Sequence, residues 1–255
     1  MFYDVIQEIT REHTDSNYWR LRDTEEYPMT PDEPVPDDLS GTKRALIEAA
    51  GELFAAHGLD GVSIRMIAEK ANANVAAVNY YFGSKDNLYY ETLKFVVRMS
   101  DDRPVQGYLA ELSDEAGPEQ ALAVLERLIR DKVRICLAGD EPEWHMRLIM
   151  RAMMDSRPQL RRLVEELFRP DFTAMCALLI LCRPGMQARE ATWLTFAVMG
   201  MIFFYVIERV PILMLLDQDG FDAAFTRGVA NTITRMVMRF LGESIEDRAS
   251  RKGER

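Results

Sequence analysis

Apolar residues between positions 42 and 88 recur at the three- and four-residue spacing of short amphipathic helices. The first stripe ends at a loop containing Gly58 and Gly61 and consists of Leu46, Ile47, Ala50, Leu53, Phe54 and His57. A second stripe follows Ser63, whose hydroxyl is suited to cap a helix N-terminus. A third run, Val75–Phe82, begins directly after Asn72–Asn74. So short a turn forces the last two helices to cross steeply, which predicts a helix-turn-helix at about residues 63–82.

The rest of the chain carries longer helical patterns. Ser84 is placed to cap a helix that leads away from the helix-turn-helix, and a break follows between Arg103–Pro104 and Gly117–Pro118. Helices are predicted at about residues 118–138, 142–155, 158–182, 187–209 and 222–241, and Pro170 should kink the third of these. Strand-like alternation and internal repeats are both absent from the sequence. The predicted fold class is therefore all-α.

The length of 255 residues and the hydrophobic fraction of 48% can support two cores. We predict an acidic, proline-containing extension at residues 1–41, a DNA-binding domain at 42–88, a helical body at 89–242 and a polar tail at 243–255. The extension is either flexible or an arm that docks on the body or on a partner. The formal charge of −10 lies mainly in the extension, which has eleven acidic and three basic residues. Residues 42–90 have five of each. The overall acidity therefore does not exclude a nucleic-acid partner, because placement of charge matters more than its total.

The helix-turn-helix region resembles a known family. Its matching residues are Ser63, Arg65, Ile67–Ala68, Ala71, Val78, Tyr81–Phe82, Ser84–Lys85 and Leu88, which resemble the DNA-binding domain of TetR-family transcriptional regulators. The run AAVNYYFGSKDNLY is most similar to the CecR (YbiH-like) branch. MRLIMRAMMDSRPQLRRLVEELFRP has the general look of that branch's ligand-binding domain. One departure is Asn72, where the family usually has glycine; asparagine is the next most tolerant residue of positive φ.

This resemblance implies a third helix that reads bases in the major groove of double-stranded DNA. Asn79 is suited to a bidentate contact with adenine, and small apolar side chains beside it suit a thymine methyl group. Asn74 could contact adenine too, or be occupied as a helix cap. The predicted base-reading residues are Asn74, Val75, Ala76, Ala77 and Asn79. The predicted phosphate contacts, which position the protein without specifying a sequence, are Thr42, Lys43, Arg44, Ser63, Arg65, Tyr80 and Lys85.

The predicted helices at 187–209 and 222–241 are apolar over more of their circumference than a surface helix needs. TetR-family proteins dimerise through two C-terminal helices at these positions, so the resemblance implies a homodimer on a palindromic operator. The run Leu194–Ile207 contains fourteen uninterrupted apolar residues, too few for a bilayer span. We therefore expect a buried or dimer-interface helix and no membrane partner.

The body is rich in methionine, which suits an adaptable apolar pocket for a small-molecule effector. Polar and aromatic residues among these methionines could supply a few directional contacts. The candidate ligand-binding residues are Trp144, His145, Arg147, Met150, Arg151, Met175, Trp193, Met199, Tyr205 and Glu208. Binding of the effector is expected to release the repressor from its operator, where repression itself is implied by the family.

Catalytic constellations and phosphate-binding glycine loops are absent, so we expect neither an enzyme nor a cofactor. Three cysteines, Cys136, Cys176 and Cys182, are too few and too scattered for a disulfide framework, and a cytoplasmic location is expected. Their spacing matches no zinc pattern, and we predict no metal site. Two alternatives stay open at this point. One is a redox- or metal-responsive regulator using Cys176, Cys182 and His145, and the other is a protein-interaction module.

Overall fold

The computed structural model describes residues 41–99, 103–113, 115–138, 142–155 and 157–242. Within these ranges the chain forms helices joined by short turns and contains no β-strand, which confirms the predicted all-α fold. The predicted acidic extension, apart from Gly41, and the predicted polar tail lie outside the described residues.

Twelve α-helices can be followed in the described ranges. They are α1 Gly41–His57, α2 Ile64–Lys70, α3 Val75–Phe82, α4 Lys85–Met99, α5 Val105–Leu109, α6 Pro118–Ala138, α7 Glu143–Met154, α8 Pro158–Leu163, α9 Arg169–Cys182, α10 Ala188–Ile207, α11 Arg209–Leu216 and α12 Ala223–Gly242. A single π-helical turn, Val164–Phe168, joins α8 to α9. The three helices predicted between residues 42 and 82 are confirmed as α1, α2 and α3.

Three predicted boundaries differ from the structure. The helix predicted at 158–182 is divided by the π-helical turn, and Pro170 lies in the first turn of α9, where its missing N–H costs nothing. The break predicted between residues 103 and 118 contains the short helix α5. The helix predicted at 187–209 ends at Ile207, and α11 follows it directly, with Pro211 again in the first turn.

The contacts divide the chain into two compact units. The head unit comprises α1–α4 together with α7 and α8, at residues 41–98 and 142–164. The body unit comprises α5, α6 and α9–α12, at residues 99–138 and 165–242. The sequence predicts a boundary at residue 88 and places every later helix in the body. By their contacts α7 and α8 group with α1–α4, and α7 packs along α1.

The core of the head unit follows from the apolar stripe of α1. Leu46, Ala50 and Phe54 are fully buried, and the ring of Phe54 meets Tyr89 of α4 edge-on at 5.1 Å between centroids. Burial of a large apolar side chain such as Leu46 or Phe54 stabilises the fold by about 1.5–3 kcal/mol. Helix α7 packs along α1 at Gly51, where the missing side chain leaves room for the indole of Trp144.

The core of the body unit is built around α9. Its residues Ala174–Leu179 are buried on every side, because α5, α6 and α10 all pack against it. Helix α12 packs along α6 through Val229, Ile233 and Val237. This arrangement leaves one side of α10 uncovered within its own unit.

Helix α10 is the one described helix whose length and composition would allow it to cross a membrane. Its buried side carries Ala191, Thr195 and Val198, and its other side exposes large apolar residues. A second protein surface and a membrane would both cover such a side.

Replacing Gly51 by alanine should lower the free energy of unfolding by about 1–3 kcal/mol, the usual cost of forcing an extra carbon into a packed contact. A Cβ there would lie 2.1 Å from Cζ3 of Trp144, so the indole must move. Gly107→Ala in α5 is the matched control, since its Cβ would meet only side-chain atoms of Arg103 at 3.6 Å. Urea denaturation followed by circular dichroism measures both. An unchanged stability of Gly51→Ala would show that α7 is not seated on α1 in this way.

Candidate nucleic-acid interface

Helix α3 has a buried side and an exposed side, as a recognition helix requires. Val78 and Phe82 face inward and are 0% and 4% exposed. The opposite side carries Val75, Ala76 and Asn79, all exposed, with Ala77 half-buried at its edge. Tyr80 projects furthest, at 82% exposure. The predicted base-reading residues therefore lie on the solvent side of the helix.

The two asparagines of this region differ in their freedom to contact DNA. Asn74 caps α3, and its Oδ1 accepts a hydrogen bond from the backbone N–H of Ala76 at 2.9 Å. A bidentate contact with adenine would need that same oxygen. The side-chain amide of Asn79 makes no hydrogen bond to any described residue. Asn79 is thus the better candidate for base recognition.

The turn between α2 and α3 depends on a left-handed residue. Asn72 has φ 49°, so asparagine adopts here the conformation for which the family usually has glycine. The N–H of Ala73 donates to Ala68 O at 2.8 Å and that of Asn72 to Glu69 O at 3.1 Å, the paired bonds of a Schellman helix end. The turn forms as expected from the sequence.

The starts of α1 and α2 present the predicted phosphate contacts. Ser63 caps α2 by accepting from the N–H of Met66 at 3.2 Å, and Arg65 is exposed two residues further on. Thr42 is exposed at the start of α1. Lys43 is half-buried, with its ammonium 6.0 Å from the centre of the Phe82 ring.

Arg44 occupies the same end of α1 and is paired with Glu48 on the next turn, at 2.9 Å from Nε to Oε1. Both side chains are exposed, and such pairs contribute about 0.3–0.5 kcal/mol on a helix surface. This stabilisation is small compared with that from a charged contact to phosphate. Arg44 can therefore leave its ion pair with Glu48 and contact a DNA phosphate instead.

Lys85 makes contacts that differ from those we predicted. Its ammonium donates to Leu59 O at 2.8 Å and to Val62 O at 2.9 Å, both in the loop between α1 and α2. Two of its three donors are therefore used inside the head unit. The structure gives Lys85 an anchoring role, because backbone carbonyls in this partly buried loop need donors. Its predicted phosphate contact, for which one donor is left, stays a prediction.

Two family models match the chain. The model described as "Bacterial regulatory proteins, tetR family" matches residues 46–92. The model described as "HTH-type transcriptional dual regulator CecR, C-terminal domain" matches residues 121–245. The chain belongs to the TetR family and is CecR-like. Members of this family are transcriptional regulators and not enzymes.

Similar proteins agree with this assignment. The TetR-family chain is 25% identical to the HTH-type transcriptional dual regulator CecR of Shigella flexneri over 198 residues, which are 75% of this chain and 87% of that protein. The solved structure of NalD, the secondary repressor of the MexAB-OprM multidrug efflux pump in Pseudomonas aeruginosa, has a TM-score of 0.52. It is 22% identical, covering 78% of this chain and 94% of that one.

A further solved structure contains AibR in complex with isovaleryl coenzyme A and operator DNA. It has a TM-score of 0.55 and 15% identity, and covers 77% of this chain and 97% of that chain. The structures of NalD and AibR establish the fold of the TetR-family chain, and the CecR relation establishes its branch.

The ten predicted ligand-binding residues divide evenly between the two units. Trp144, His145, Arg147, Met150 and Arg151 lie in the head unit; Met175, Trp193, Met199, Tyr205 and Glu208 lie in the body unit. Neither unit contains the complete predicted set. A cavity of about 350 Å³ in the body unit, at the end of α5 and along α6, is lined by none of them.

The head-unit members hold α7 in place. The ring of Trp144 lies over Gly51, and buried His145 meets Phe95 and Trp144 edge-on. Arg151 donates to Ala56 O at 3.4 Å, near the end of α1. These three were predicted as ligand contacts, and the structure gives them packing and capping roles, because the face of α7 that carries them is used against α1. Arg147 pairs with Glu143 on the surface at 3.6 Å, and Met150 is half-buried.

The body-unit members do not face one another either. Met175 is 4% exposed in the core, whereas Trp193 and Met199 point outward from α10. The guanidinium of Arg189 covers the Trp193 ring at 4.9 Å. Tyr205 packs edge-on against Phe225, and Glu208 forms the junction of α10 and α11. The prediction that these residues converge on one pocket is not supported by their positions within the unit.

The buried cysteines have environments that oppose reactivity. Cys176 lies 3.4 Å from the hydroxyl of Thr195, and burial raises the pKa of its thiol. Burial raises the pKa of Cys182 to about 12. Thiolate is the reactive and metal-binding form, so neither side chain is suited to sensing at neutral pH. Among the described residues no group of three or more His, Cys, Asp or Glu is placed to hold a metal ion. The redox- or metal-responsive alternative gains no support.

Lys85→Ala should lower the free energy of unfolding by about 2–4 kcal/mol, since it leaves two carbonyls without charged donors. Lys70→Ala is the control, because Lys70 forms an exposed pair with Glu52 at 2.7 Å and its loss should cost under about 1 kcal/mol. Thermal unfolding monitored by circular dichroism compares the two variants. Equal and small losses would contradict the anchoring role of Lys85.

Proposed function

We propose that this TetR-family protein is a cytoplasmic, sequence-specific repressor that binds a palindromic operator as a homodimer. Helix α3 enters the major groove, where Asn79 reads adenine and Val75, Ala76 and Ala77 approach thymine methyl groups. Thr42, Lys43, Arg44, Ser63, Arg65 and Tyr80 contact phosphates at its edges. The observation that carries the proposal is the uncommitted amide of Asn79, on the exposed side of a helix whose other side is buried.

The charge of the head unit supports DNA as its partner. The predicted DNA-binding segment, residues 42–90, is neutral. The described head unit, which includes α7 and α8, holds twelve Lys and Arg residues against eight Asp and Glu, a formal charge of +4. Five of those basic residues are arginines of α7, α8 and the turn between them. The described part of the unit that carries the recognition helix is therefore basic within an acidic chain, and its affinity for DNA should fall with salt.

Asn79→Ala should change the preferred sequence and weaken binding to the wild-type operator by about 1–3 kcal/mol, because it removes one bidentate base contact. The operator is obtained by selecting duplexes from a random library with wild-type protein. Arg65→Gln is the comparison, since loss of a phosphate contact should weaken all duplexes alike and reduce the slope of log affinity against log salt by about one. Unaltered sequence preference in Asn79→Ala would contradict the assignment of the reading side. Failure of the wild type to select any sequence would contradict the proposed function itself.

The exposed side of α10 supports the proposed dimer. Its residues Trp193, Phe196, Gly200, Phe203 and Ile207 are separated by three, four, three and four positions. This is the spacing with which one helix packs along another. Gly200 has no side chain, and no atom lies near the position that a Cβ would take, so a second helix can approach closely. Family members are typically dimers. A second copy therefore covers this side more economically than a membrane does, with α12 completing the interface.

Phe203→Arg should shift the protein from dimer to monomer, because a buried charge without a partner is costly at an apolar interface. Met154→Arg, at an 85% exposed position near the end of α7, introduces the same charge outside the proposed interface. Sedimentation equilibrium at micromolar concentration distinguishes 29.3 kDa from twice that mass. A monomeric wild type, or a Phe203→Arg variant that stays dimeric, would contradict the assignment of α10.

The proposed effector is an apolar small molecule that lowers operator affinity when it binds the body unit. Support comes from the family and from the methionines Met175 and Met186, which lie in or at the buried core of that unit. The structure of AibR contains isovaleryl coenzyme A, whose acyl group is apolar.

A further inference from the structure

The loop between α1 and α2, residues Gly58–Val62, is held by side chains from two separate parts of the head unit. Lys85, at the start of α4, donates to its two ends at Leu59 O and Val62 O. Arg157, at the start of α8, binds the carboxylate of Asp60 in its middle. Five residues of loop therefore meet two cationic groups that are distant in sequence.

The contact between Arg157 and Asp60 is bidentate. Nη2 lies 2.6 Å from Oδ2, and Nη1 lies 3.3 Å from Oδ1. Nε of the same guanidinium donates to Asp155, which holds the fork in one orientation. Hydrogen bonding to Arg157 lowers the pKa of Asp60, so the carboxylate stays ionised through the neutral range. The planar fork of arginine matches this geometry, whereas lysine could supply only a point charge.

The loop has little freedom of its own. Leu59 and Val62 are buried, and a Cβ on Gly61 would lie 2.5 Å from His57 O. Ser63, which caps α2 and is a proposed phosphate contact, follows Val62 directly. A displacement at Asp60 would therefore move the first turn of α2, including Ser63 and Arg65, relative to α3.

Helix α8 is fastened to α4 at a second place. Gln159 Nε2 donates to Asp86 Oδ1 at 2.7 Å, and Arg162 stacks on Tyr90 at 3.8 Å from its centroid. Both partners lie at or near the start of α4, which is separated from the end of α3 by two residues. Helix α8 thus touches the chain segments on either side of the helix-turn-helix.

We propose that Arg157 is a positioning residue for DNA binding: it holds Asp60, fixes the start of α2 for its phosphate contacts and neutralises a carboxylate beside the DNA. Arg157 lies in the span matched by the CecR C-terminal domain model, and Asp60 in the span matched by the TetR DNA-binding model. The ion pair therefore joins the two matched regions inside one compact unit. This inference rests on the proposed DNA interface and adds to it a residue outside the helix-turn-helix.

The test uses Arg157→Gln, with Arg161→Gln as a matched control. Arg161 lies on the same helix, is exposed, and its side chain pairs with no described residue, so its loss removes the same charge without touching Asp60. Affinity for the selected duplex should fall about threefold to tenfold in Arg157→Gln, a scale typical of coupling between contacting groups, and less than about twofold in Arg161→Gln. Equal losses of affinity in Arg157→Gln and Arg161→Gln would show that Arg157 acts only through its charge, which would overturn the proposal.

The Asp60→Asn background separates positioning from other roles. In Asp60→Asn, the further change Arg157→Gln should alter affinity less than about twofold, because the pair is already broken. If Arg157→Gln weakened DNA binding by the same factor in Asp60→Asn as in the wild type, the two residues would act independently, which would contradict the proposal. The slope of log affinity against log salt should stay unchanged in Arg157→Gln; a slope reduced by about one would make Arg157 a direct phosphate contact instead.

The same variants also control for a loss of folding and for a failure of the proposed function. Asp60 is 80% exposed and Arg157 is partly buried at 30% exposure, and the pair lies outside the core of the unit, so these variants should keep the wild-type circular dichroism spectrum. Arg157→Lys, which keeps the charge and loses the fork, should show a smaller loss of affinity with the same salt slope. Full affinity in Arg157→Lys and Arg157→Gln alike, with a wild type that binds the duplex, would refute the positioning role while leaving the proposed function intact.

Discussion

Backbone carbonyls in the turn before the helix-turn-helix need hydrogen-bond donors, and the head unit depends on how that need is met. The chain turns between α1 and α2 in five residues, and Lys85 supplies two donors to Leu59 and Val62. Since Lys85 opens α4, the same contacts tie the end of α3 to the beginning of α2. The angle between α2 and α3, on which entry to the major groove depends, is thereby fixed from both sides.

The same unit gains its positive charge from helices that follow much later in the chain. The neutral segment at 42–90 becomes a described unit of +4 once the rest of α4 and the helices α7 and α8 are included. Arg151 and Arg157 reach α1 and the loop after it, so their charges are held at the DNA-binding domain. A TetR-family regulator with an acidic chain can in this way present a basic surface where it meets phosphate.

Local features of the fold could be predicted from the sequence, and distant ones could not. The caps at Ser63 and Asn74 and the left-handed Asn72 each involve partners within five residues, so the residue types themselves indicate the contacts. Lys85 meets carbonyls 23 and 26 residues earlier, and Arg151 meets one 95 residues earlier. No local pattern encodes such pairings. The contacts of Trp144 and Arg151 with α1 could not be predicted for the same reason, and the predicted ligand-binding residues stay a prediction.

Hydrogen exchange measured by mass spectrometry, with and without the selected duplex, tests most directly whether the head unit binds DNA as one body. Our account predicts that DNA slows exchange in α2 and α3, in the loop at residues 58–62, and in α8, which touches that loop and the start of α4. Slowed exchange confined to α3, with the loop and α8 unchanged, would contradict it. Protection in the body unit alone would contradict the assignment of the interface.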